Sequence, residues 1–148
     1  MKDVIISIKG RQSYHETEEM DKVELITTGK YRHHGGETVF SYMESEMTGE
    51  NSTFTVFRVS PQAAILTREG ATTAQMIFEQ GKKNIFLHET PWGTMTMGLD
   101  TRRLAHGLGE SGGKMEIDYM IDIDSAVVGE HGLVIDIREP GKASEIAT

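Results

Sequence analysis

Three side chains in this sequence combine charge and spacing in a way that could do chemistry: Glu44, Glu46 and Arg68. The two carboxylates lie two residues apart, so in an extended strand they share a face with Phe40 and Tyr42. Arg68 falls in line with Ala64 and Leu66, both apolar. A charge in line with core residues must be paired or sit at an opening, because an unpaired buried charge is very costly. Arg68 is therefore expected to reach Glu44 or Glu46 near one end of the fold. Such a cluster has two readings. A planar guanidinium recognises carboxylates and other anions, whereas a structural ion pair closes an end of the fold and is the simpler of the two. Paired carboxylates also serve glycoside hydrolysis, one as acid and one as base or nucleophile. On one strand the pleat holds their Cα atoms about 6–7 Å apart, and nothing else in the chain supports that chemistry.

Other reactive groups are thinly spread. The histidines are His15, His33, His34, His88, His106 and His131, with no His-x-His or His-Glu-x-x-His spacing among them. His33 and His34 precede Gly35-Gly36, where adjacent side chains on a hairpin point to opposite faces, so joint capture of one metal is awkward. Cysteine is absent, which removes disulfides, thiolate nucleophiles and Cys-type zinc sites. No strand-to-helix elbow of the Gly-x-Ser-x-Gly type appears. Gly107-Leu108-Gly109-Glu110-Ser111-Gly112 matches the dinucleotide fingerprint literally. It lies between two strands with no helix to supply an N-terminal dipole, so it reads as a flexible turn. No catalytic residue, metal site or cofactor is expected.

The elements that must position these groups follow from alternation. In Met115-Glu116-Ile117-Asp118-Tyr119-Met120-Ile121-Asp122-Ile123-Asp124 the odd positions are apolar and the even ones acidic, with Met120 as the one exception. A helix would scatter those carboxylates around its circumference; a strand turns them all to water. Val4, Ile6 and Ile8 repeat the pattern, as do Ala74, Met76 and Phe78, Met95, Met97 and Leu99, and Leu133, Ile135 and Ile137. Turn residues fall between the runs: Gly35-Gly36, Gly49-Glu50-Asn51, Pro61-Gln62, Gly70, Gly81-Lys82-Lys83, Pro91-Trp92-Gly93 and Ser111-Gly112-Gly113. Successive hairpins along nearly the whole chain indicate an all-β protein, an antiparallel up-and-down meander of about eight to ten strands closed into a barrel. Nine methionines are present. Those on strands (Met43, Met76, Met95, Met97 and Met115) suit irregular core filling and, second to that, the lining of an apolar pocket.

The totals agree. A chain of 148 residues, 37% hydrophobic and 26% charged, fits one globular domain, read here as 1–139 with a frayed tail at 140–148. A formal net charge of -8 disfavours nucleic acid and anionic membrane surfaces, both of which attract cations. The apolar run near the N-terminus is broken by Ser7 and closed by Lys9, too short for a secretory signal. No segment is long enough to span a bilayer as a helix. A cytoplasmic setting is expected.

Several stretches occur in a telling order: Tyr42-Met43-Glu44-Ser45-Glu46-Met47-Thr48-Gly49, Arg68-Glu69-Gly70, Met76-Ile77-Phe78-Glu79-Gln80-Gly81, Thr90-Pro91-Trp92-Gly93 and Gly113-Lys114-Met115-Glu116-Ile117-Asp118-Tyr119. Together, from Val4 to Ile137, they resemble the YwiB-like family of bacterial proteins, a domain of unknown function. The resemblance implies a calycin-like (lipocalin-like) β-barrel in a small cytosolic bacterial protein, and it implies no activity. The chain departs from the family pattern at His88, where Tyr is expected, and at Trp92, where Tyr or Phe is usual. The functional expectation is a barrel without catalysis that holds a small, partly apolar ligand in or at its mouth. Arg68, Glu44, Glu46, His88, Trp92 and Tyr119 are its candidate contacts. The alternative is an interaction or scaffold module acting through a sheet edge or outer face, as a monomer or weak homodimer.

Overall fold

The structure, a computed structural model, describes residues 1–14, 20–45, 52–70, 73–123 and 126–141. The expected tail at 140–148 lies outside them from residue 142 onward. Ten strands follow one another: β1 (Lys2–Tyr14), β2 (Met20–His34), β3 (Glu37–Ser45), β4 (Ser52–Val59), β5 (Ala63–Gly70), β6 (Thr73–Glu79), β7 (Lys83–Thr90), β8 (Gly93–His106), β9 (Gly113–Ile123) and β10 (Ala126–Arg138). Each pairs antiparallel with its neighbours in sequence, and β1 pairs with β10 from Ile5↔Arg138 to Tyr14↔Gly129, which closes the barrel. The meander read from the turn spacing is thus the observed topology.

Closure needs curvature, and register shifts supply it at Thr101/Arg103 in β8 and at Val127/Gly129 in β10. The β6–β7 ladder is the short one, with only Thr73↔Glu89 and Ala74↔His88 paired. Below that point the connection from β6 to β7 leans on β8 instead. Gly81 N donates to Thr101 O at 2.9 Å, and Thr101 N donates to Lys82 O at 3.1 Å. The Asn84 amide bridges the parted strands by donating to Ile77 O at 3.2 Å.

Alternation decides which side chains enter. Val4, Ile6, Phe40, Phe57, Val59, Phe78, Leu99, Met115, Ile117, Ile135 and Ile137 are buried in one core. They crowd the end of the barrel reached by the β2–β3, β4–β5, β6–β7 and β8–β9 connections. Phe40 and Phe57, cross-strand partners, stack there with centroids 4.9 Å apart. The 107–112 segment folds over this end and buries Leu108. The Tyr31 hydroxyl anchors it by donating to Gly109 O at 2.5 Å, and Gly109 and Gly112 bridge each other. This corrects the sequence expectation of a flexible turn. The glycines serve tight packing: Gly112 has φ 112° and Gly113 φ 143°, and a Cβ on Gly112 would run into the Ile137 carbonyl. Gly112→Ala should therefore lower the free energy of unfolding by roughly 2 kcal/mol or more. Gly35→Ala, at a hairpin tip with open space around it, should cost about 1 kcal/mol. Urea denaturation of both variants checks this, and equal stabilities would show that the segment is not pinned.

Candidate functional site

The other end of the barrel is hollow. The same strands that present Phe40, Phe78 and Met115 at the packed end present Tyr42, Ala74 and Tyr119 here, and β1 contributes Gly10. Small inward residues leave a cavity of about 410 Å³ open at the end where β1 joins β2 and β9 joins β10. Taking ~30 Å³ as a water's share of the liquid, it has room for roughly a dozen non-hydrogen atoms. Its wall is mostly apolar, with Leu25, Phe57, Leu66, Met76, Phe86, Met97 and Leu133 among its members. Gln12, Arg68, His88, Tyr119 and His131 also face it.

Register explains how these polar groups meet. Gln12 pairs with His131 and His131 with Tyr119, which places three polar residues in one row across β1, β10 and β9. The His131 and Tyr119 rings stack at 5.1 Å, and Phe78 meets Tyr119 edge-on at 5.0 Å. A second row runs from Thr55 through Arg68 and Ala74 to His88. Arg68 on β5 and Tyr119 on β9 are separated by three strands, so they meet across the interior. Their closeness registers electrostatically: burial pushes the Tyr119 hydroxyl up to about 12, and the Arg68 charge partly opposes that rise. Burial also pulls the His131 imidazole below its ordinary value. At neutral pH Tyr119 is a neutral phenol and His131 a neutral ring. At the rim, Arg11 crosses over Gly132 to reach Asp118 Oδ1 at 2.6 Å. A Cβ on Gly132 would collide with that guanidinium, so glycine is what lets the arm lie flat.

Of the residues singled out from sequence, Arg68, His88 and Tyr119 are brought together around one cavity. Glu44 pairs through its backbone with Thr53, while its side chain and the whole of Glu46 lie outside the described residues. Trp92 stands apart: it is 92% exposed at the β7–β8 turn and does not line the cavity. The methionines divide. Met76 and Met97 line the cavity, Met115 fills the packed end, and Met43 points outward. His131 and Gln12 were missed. His131 shares the parity of Leu133, Ile135 and Ile137, and Gln12 that of Ile6 and Ile8, but as polar residues they do not extend the apolar runs that mark an inward face.

The pH dependence follows from the two shifts. Tyr119 is held protonated in the fold, so its contribution is complete below its unfolded value near 10 and is lost as pH rises toward about 12. His131 is held neutral, so stability falls as pH drops below about 6.5. Tyr119→Phe should flatten the alkaline limb and His131→Phe the acid limb of stability against pH. Chemical denaturation across pH 5 to 11 reads both limbs, and unchanged limbs would place these rings outside the desolvated wall.

The chain resembles one solved structure, described as "Crystal structure of ywiB protein from Bacillus subtilis", over 93% of its own length and 91% of that chain, with a TM-score of 0.81 at 20% identity. At that identity the likeness speaks for the barrel alone. No curated protein matches the chain. Residues 6–135 match the profile of the family described as "Domain of unknown function (DUF1934)". That span takes in nearly all of the barrel, and the chain belongs to this family.

Proposed function

We propose that the protein is a binding protein of calycin-like type, holding a small, partly apolar ligand inside the open end of its barrel. The observation that supports this reading is the cavity itself: about 410 Å³, walled by aliphatic and aromatic side chains, with a few polar groups converging on it. Ligand sites in general have this composition, an apolar lining with a small number of placed polar atoms. The reading needs no reaction.

Uncharged 1-octanol is a suitable probe, since it matches the volume and apolar character of the space. It should raise the melting temperature in proportion to its concentration, because a ligand that binds only the folded state stabilises it. The methyl resonances of Met76 and Met97, in the wall, should shift while that of Met43, on the outside, stays in place. Ala74→Leu, which fills part of the space, should weaken both responses. Unmoved Met76 and Met97 signals at saturating octanol would overturn the reading.

A second reading has one observation in its favour. Ile85 and Leu87 are 63% and 56% exposed on the outer face of β7, an unusual pair for a solvated strand. Along that face β7 reads Lys83, Ile85, Leu87, Glu89, so a second copy related by a twofold axis would set unlike charges and like apolar groups together. Light scattering on Ile85→Lys against the parent chain tests it: dimers lost in the variant support it, and monomers in both exclude it.

A further inference from the structure

Which ligand the cavity takes can be narrowed by its hydrogen-bonding character, and this step rests on the binding reading above. Arg68 is the donor-only side chain of the described wall, while Gln12, Tyr119 and the neutral His131 ring can each donate as well as accept. Arg68 has five N–H donors and no acceptor. Tyr119, with its hydroxyl held near 12, remains a neutral O–H donor. Gln12, His88 and His131 each have an N–H to give. Among the described lining residues there is no Asp or Glu. Arg68 also engages its own chain, but a five-donor fork can serve a chain partner and a ligand acceptor together.

We infer that the cavity binds a small monocarboxylate with an apolar body, its carboxylate received by Arg68 and the Tyr119 hydroxyl. The two donors come from opposite sides of the barrel, β5 and β9, so a carboxylate between them has one oxygen for each. Each bond goes to an ionised acceptor, and such hydrogen bonds are about twice as strong as neutral ones. The apolar body then lies against Leu25, Met76, Met97 and Leu133. A chain of about eight carbons is of the right size, by the same volume estimate as above.

The test compares two ligands of one shape, octanoate and 1-octanol, on the full chain at pH 7.5, by calorimetry or by Met76 and Met97 methyl shifts. Octanoate should bind at least about tenfold more tightly than octanol, a difference of about 1.4 kcal/mol. Arg68→Met should collapse that ratio toward one, and Arg68→Lys should restore part of it through charge without the fork. Tyr119→Phe gives an independent variant should Arg68→Met fail to fold, and it should reduce the ratio several-fold. Octanoate binding no more tightly than octanol would overturn the inference while leaving the apolar binding reading in place. Binding of neither would overturn both. A preference for octanoate that survives Arg68→Met and Tyr119→Phe would also overturn it, since the carboxylate would then be held elsewhere.

Discussion

Everything in this molecule depends on the ladder between its first and last strands. β1 and β10 pair over ten residue positions, from Ile5↔Arg138 to Tyr14↔Gly129. Without that ladder the meander is an open sheet with two long unpaired edges, and exposed edges invite pairing with other chains. With it, every inward row becomes a ring, and a ring has an inside. Arg68 and Tyr119 have no sequence proximity and no shared ladder; they face each other because the sheet has been bent round until β5 and β9 are opposite.

Closure alone does not hollow the barrel. Its two ends are built from the same ten strands but from side chains of different bulk. At one end Phe40, Phe57, Phe78 and Met115 meet over Leu108, with Tyr31 tying down the segment that covers them. At the other, Gly10 and Ala74 occupy inward positions and the wall cannot meet across the middle. The packed end supplies the apolar burial that holds the fold, which leaves the hollow end able to keep buried polar groups. Arg68, Tyr119 and His131 are costly to desolvate. Their presence is tolerable because the rest of the core is well filled.

Much of this was legible in the residues. The alternation from Met115 to Ile123 is β9, and its one exception, Met120, sits in reach of Arg102 Nη2 at 2.8 Å. Among the described residues the turn signals delimited the hairpins, Gly49-Glu50-Asn51 lying outside them, and the position of Arg68 in line with Leu66 marked it as facing the interior. Three things were not legible, each for a physical reason. A cavity is a deficit of summed volume across strands distant in sequence, so neither Gly10 nor Ala74 announces it alone. His131 keeps the parity of Leu133, Ile135 and Ile137, but a polar ring between Glu130 and Gly132 does not extend an apolar run, and its place against Tyr119 depends on pairing with a distant strand. Trp92 has the residue type of a lid but the position of a hairpin tip, and only the fold could tell these apart.

The unequal filling of the two ends has a consequence for motion. Local opening of a protein costs least where few apolar contacts must be broken, and most where the core is dense. In this barrel the described strand ends around the cavity carry less apolar packing than those near Phe40 and Leu108, the parted β6–β7 ladder excepted. Amide protons should therefore exchange in a gradient along the barrel axis, fast at the hollow rim and slow at the packed floor.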